Sequence, residues 1–140
     1  MNAARATRFS RGSALRVAIV ASSCETLDGL EAYLRRAGLL TSGTRDIQQL
    51  PDLATRVVGI VAFPDDYETR TVISVLLQCQ ITSPNIFAVL VTQHPQSFEQ
   101  VKWHEGSLRT LVAPKPAWGW TILDAIRAHI DGEPEPEKKF

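Results

Sequence analysis

The stretch Val57-Val58-Gly59-Ile60-Val61-Ala62-Phe63, followed at once by Pro64-Asp65-Asp66, decides the architecture. Its first seven positions are apolar without alternation, the pattern of a parallel strand buried on both faces and not that of a half-exposed antiparallel one. It belongs in the middle of a sheet. Proline and two acids then read as the opening of a helix, with the carboxylates near its positive end, and Val72, Val75, Leu76 and Cys79 recur as its inner stripe.

Upstream, Arg16-Val17-Ala18-Ile19-Val20-Ala21 is a second apolar run. Ser22-Ser23-Cys24-Glu25 has capping-box spacing, with Ser22 as the cap. Leu27, Leu30 and Leu34 fall on one helical face, and Gly38 supplies a left-handed stop after Ala37. A weak strand over 39–42 follows, then a helical piece over 46–49 that Pro51 restricts, because the residue before proline is pushed out of the α region.

Downstream, Ser83-Pro84-Asn85 breaks the helix before the strand Ile86-Phe87-Ala88-Val89-Leu90-Val91. A short helix over 97–104 turns Phe98 and Val101 inward, and Gly106 ends it before a strand over 108–113. The last helix spans 120–130 with Ile122, Leu123, Ile126 and Ile130 inward. Strand and helix alternate five times, which right-handed crossovers convert into an open parallel sheet with helices on both faces. The functional site of such a sheet lies beyond the carboxyl ends of its strands.

Composition sets the outer bounds. The 140 residues suit one hydrophobic core, and 44% apolar against 21% charged residues is a normal globular balance. Fifteen basic side chains offset fifteen acidic ones, so the field needed to hold a polyanion is missing and no nucleic-acid partner is expected. No run approaches the roughly 20 apolar residues of a membrane span, so the expectation is a cytoplasmic chain without membrane insertion. Cys24 and Cys79 have no C-x-x-C spacing and read as reduced thiols. Residues 1–14, with Arg5, Arg8 and Arg11, read as a flexible N-terminal tail, and the proline-punctuated 131–140 as a disordered C-terminal one. The folded unit is expected over 15–130.

The order of these elements, closing on Lys115-Pro116 and an amphipathic stretch, resembles the receiver domain of bacterial response regulators. The resemblance implies a flavodoxin-like (CheY-like) α/β fold, with a five-stranded parallel sheet in the order 2-1-3-4-5. That family carries an acidic pair after its first strand, which holds Mg²⁺ together with the acceptor aspartate ending the third. This chain has Ala21-Ser22-Ser23 at the first place and Ala62 or Phe63 at the second. Two further family positions match: a hydroxyl after the fourth strand, Thr92, and a lysine before proline after the fifth, Lys115-Pro116. In the family these groups read the phosphoryl oxygens. Without an acceptor, Thr92 is expected to cap a loop and Lys115 to meet a local carboxylate or water.

The expectation is therefore a degenerate, pseudo-receiver module in bacterial signal transduction. It would be non-enzymatic, with no catalytic, metal or cofactor residues, and would act by contact with a protein partner or a second copy of itself. Trp103, Trp118 and Trp120, near the fourth and fifth helices, are the candidate anchors, since tryptophan is enriched at interface hot spots. Two alternatives use other residues. Asp65 or Asp66 would serve as a displaced phosphoryl acceptor, or Cys24, in the first turn of a helix, would be the nucleophile of a small α/β enzyme. His94, His104 and His129 lie in different elements without triad or metal-ligand spacing and read as solvated or capping groups.

Overall fold

A computed structural model describes residues 15–99, 109–114 and 119–130. Five parallel strands, β1 (Arg16–Val20), β2 (Leu40–Thr44), β3 (Gly59–Ala62), β4 (Phe87–Thr92) and β5 (Arg109–Pro114), form one sheet in the order β2-β1-β3-β4-β5. Between them run α1 (Cys24–Arg36), α2 (Leu50–Ala54), α3 (Thr69–Thr82) and α4 (Gln96–Glu99), with α5 (Gly119–Ile130) after β5. This is the fold class and strand order that the sequence predicts.

The pleat of β1 divides the interior. Val17, Ile19 and Ala21 face the layer of α1 and α5, where they meet Leu27, Leu30, Leu34, Ile122 and Ile126. Ala18 and Val20 face the opposite layer, with Leu50, Val72, Val75, Leu76, Cys79 and Phe98. Each of the α1 leucines contributes roughly 1.5–3 kcal/mol by burial, which fixes that helix on the sheet by the stripe its sequence predicts.

Several local expectations need correction. The cap of α1 is Ser23, not Ser22: its side chain accepts from the Thr26 N–H at 3.2 Å, and the Ser22 N–H goes elsewhere. Gly38 does carry the left-handed conformation, at φ 99°, after the cap residue Ala37. The second strand is Leu40–Thr44, two residues longer at its end than expected. Pro51 does not restrict the helical piece: it sits in the first turn of α2, where its missing N–H costs nothing, and the helix continues to Ala54. Pro64, Asp65 and Asp66 form a separate 3-10 turn, and α3 begins only at Thr69 with Glu68 as its cap residue. Their carboxylates are therefore not first-turn residues of α3. The helix expected over 97–104 is described as Gln96–Glu99, with Phe98 buried, and its remainder lies outside the described residues. The tails assigned to 1–14 and 131–140 also lie outside them.

Gly59 opens β3 where a side chain has no room. A Cβ there would stand 2.3 Å from Cζ of Phe87, the residue paired with it on β4. The Phe87 ring in turn stacks on His129 of α5, with centroids 4.6 Å apart and planes 5° from parallel. A glycine in the central strand thus seats a ring that ties β4 to the last helix. At the sheet edge, Thr41 donates to Glu31 at 2.9 Å and accepts from Arg35 Nε at 2.9 Å, which fastens β2 to α1.

Candidate functional site

The sheet order places the carboxyl ends of β1 and β4 on either side of β3, and the turn after β3 reaches both. Two consecutive aspartates do this. Asp66 Oδ2 accepts from the Ser22 N–H at 3.0 Å, on the β1 side. On the β4 side, Asp65 Oδ1 accepts from the Thr92 hydroxyl at 2.5 Å and Oδ2 accepts from the Gln93 N–H at 2.8 Å. Thr92 is fully buried, and its oxygen also accepts from the His94 N–H at 2.9 Å, so it both donates and accepts.

The belt extends to the edge strand. Arg45, just after β2, donates from Nε to the Ser22 carbonyl at 2.8 Å, and the Tyr67 hydroxyl donates to the Arg45 carbonyl at 2.7 Å. Burial, with the Asp66 charge adding to it, raises the Tyr67 pKa above its ordinary value. The phenol is a donor at neutral pH, and the shift extends that range to higher pH. Ser22, Arg45, Asp65, Asp66, Tyr67 and Thr92 join the ends of four strands by hydrogen bonds.

Ala62 and Phe63 stand at the carboxyl end of β3. Ala62 packs into the α2–α3 layer and Phe63 into the α1–α5 layer, and neither presents an oxygen beyond its own carbonyl. Phe63 also floors a cleft of about 310 Å³ between α1 and α5, bounded by Glu25, Tyr33, Gly119 and Ile122. Among the described residues, no group of three His, Cys, Asp or Glu gathers in a way that would hold a metal ion. The two aspartates are adjacent in sequence and turn to opposite neighbours.

The other expected residues divide sharply. Trp120, in the first turn of α5, is 58% exposed. Trp103, Trp118, Lys115 and Pro116 lie outside the described residues, as does His104. Cys24 is exposed at the start of α1. Cys79 is buried inside α3, and burial pushes its pKa up to about 12, which leaves it a neutral thiol at ordinary pH. His94 contributes its backbone N–H to Thr92, and His129 its ring to Phe87. No helix among the described residues is long and apolar enough to cross a membrane.

The carboxylate belt was not apparent from the sequence. The available signal was the coincidence of Pro64-Asp65-Asp66 with the end of a central strand, where acids have two neighbouring strand ends within reach. Its energetic weight is testable. Asp65→Ala removes acceptors from a buried hydroxyl and an exposed N–H, and is expected to lower the unfolding free energy by about 1.5 kcal/mol. Urea denaturation of Asp65→Ala, Thr92→Val and the double variant measures it, and additive losses would show that the pair is not coupled.

No family model matches the chain, and no curated protein does either. Solved structures do. A response regulator receiver protein from Sinorhizobium medicae superposes with a TM-score of 0.68 at 15% identity, covering 86% of this chain and 97% of its own. A Burkholderia pseudomallei protein described as pilus assembly-related gives 0.65 at 15% identity, covering 88% and 94%. The receiver domain of the Erythrobacter litoralis PhyR response regulator gives 0.65 at 14% identity, covering 89% and 96%. At such identities the likeness is one of fold, that of CheY-like receiver domains.

Proposed function

We propose that this chain is a protein-interaction module of bacterial signalling or regulation, which has the receiver architecture and works without phosphorylation. The observation that carries the reading is the engagement of Thr92 by Asp65. A receiver uses the hydroxyl at this place to meet a phosphoryl oxygen; here a carboxylate of the chain itself occupies that hydroxyl. The proton of this hydroxyl is already committed to the chain's own carboxyl group, with no phosphodonor involved. Ala62 and Phe63 at the acceptor place, and Ala21-Ser22-Ser23 in place of an acidic pair, support the same reading.

A module of this kind acts by contact and is non-enzymatic, with no cofactor or metal requirement. Trp120 is its exposed aromatic anchor, on the side of the molecule where α5 begins, and Trp103 and Trp118 are assigned to the same contact face. Lys115, with no phosphoryl group to read, is assigned to a local carboxylate or water, not to the contact. The expected partner is a protein, met in the cytoplasm.

Incubation with acetyl phosphate and Mg²⁺, followed by intact-mass measurement, tests the central claim. The mass is expected to stay unchanged. A stoichiometric gain of one phosphate, lost in Asp65→Ala or Asp66→Ala, would make the chain a phosphorylated regulator with a displaced acceptor.

A further inference from the structure

Val72, Val75, Leu76 and Cys79 of α3 face the sheet, while half-buried Ile73, packed against the same core, half-buried Leu77 and exposed Ile81 repeat every four residues along the flank of the helix. With Arg70, Ser74 and Gln78 they line an open groove of about 480 Å³, and Ile81 is 69% exposed. Fourteen residues of surface helix carry a single charge, Arg70. Thr69, Ser74, Gln78 and Thr82 supply the rest of its exposed surface, and the apolar groove between them is the kind of patch that marks a contact.

Its charge distribution indicates what covers it. Arg70 lies in the first turn, at the positive end of the helix dipole, and the last turn has no basic residue to meet its outward carbonyls. Both features are unfavourable in isolation. A second α3 laid antiparallel would bring each Arg70 to the carbonyl end of the other helix. The apolar stripe has the symmetry for this contact, since Ile73 and Ile81 stand four residues on either side of Leu77. An isologous interface requires that relation, in which residue i meets j and j meets i.

We propose that the outer face of α3 is a homodimer interface, in which two copies pack their α3 helices antiparallel about a two-fold axis at Leu77. Ile73 of each copy then lies against Ile81 of the other, with Leu77 against Leu77. The contact is separate from the Trp120 surface and does not depend on whether the chain accepts phosphate.

Cysteine cross-linking of the full chain tests the geometry, in a Cys24→Ser background that removes the exposed native thiol. Leu77→Cys is expected to give a disulfide-linked dimer on mild oxidation. Ile81→Cys alone should not, because antiparallel packing sets the two Ile81 positions about 12 Å apart along the axis, beyond the span of a disulfide. A mixture of Ile73→Cys and Ile81→Cys chains should cross-link to each other. Sedimentation equilibrium supplies a measurement free of oxidation: the exposed Ile81→Glu change is expected to weaken dimerisation about tenfold or more, with the melting temperature unchanged. A monomeric wild-type chain at high micromolar concentration would overturn the proposal. So would a dimer indifferent to Ile81→Glu, cross-linking of Ile81→Cys as efficient as that of Leu77→Cys, or a groove that binds only a different, acidic protein.

Discussion

Gly59→Val is expected to lower the unfolding free energy by about 3 kcal/mol, the upper end of what overpacking costs. Even the first carbon of a side chain at this position would lie 2.3 to 2.6 Å from three atoms of the Phe87 ring. The ring cannot turn without leaving its parallel stack on His129, 4.6 Å away, and a buried aromatic that moves opens space elsewhere. Gly59→Ala meets the same contact with fewer atoms and should cost less. Thermal and urea unfolding of the two variants measures the loss. Phe87→Leu placed beside Gly59→Ala should restore part of it, because the shortened side chain removes the atoms that collide. A Gly59→Ala protein as stable as wild type would show that the ring swings aside freely.

Trp120→Ala is expected to weaken association with a protein partner by about 2 kcal/mol, roughly a 30-fold loss of affinity, while leaving the fold intact. The side chain is 58% exposed, so truncating it leaves little internal cavity. A core tryptophan would behave in the opposite way, losing about 3–5 kcal/mol of folding stability. Affinity capture from the native cell lysate with wild-type and Trp120→Ala baits identifies the partner, and titration then measures the difference. Equal capture by both, or a large fall in melting temperature for the variant, would remove Trp120 from the contact face.

The parts of the fold readable from sequence are those whose cause is local. Val57–Phe63 and Ile86–Val91 are unbroken apolar runs because their strands are buried on both faces, and Leu27, Leu30 and Leu34 repeat because one side of α1 meets the sheet. β2 was faint for the same reason in reverse: an edge strand reading Leu-Thr-Ser-Gly-Thr has little apolar signal. The misplaced cap shows the limit of a spacing rule, since Ser22 and Ser23 both offer a hydroxyl, and in the fold Ser23 Oγ accepts from the Thr26 N–H while the Ser22 N–H is held by Asp66. The belt itself could not be read from spacing. Asp65 meets Thr92 across 27 residues and Asp66 meets Ser22 across 44, distances over which a sequence carries no periodicity. Proximity to a predicted helix start therefore suggested a dipole role for both carboxylates, and the intervening 3-10 turn redirected them.

The strand order also governs how the sheet can be assembled in time. β1 is made first and lies between β2 and β3, so the earliest strand has a partner on each side as soon as Ala62 has emerged. β4 and β5 then add in sequence to one growing edge, each against the strand made just before it. Only β1 waits past its immediate successor, for β3, and no strand is inserted between two already paired. Parallel sheets fold slowly because their closures are non-local, and an order that completes each pairing as the chain lengthens keeps unpaired edges, the seeds of misassembly, few during synthesis.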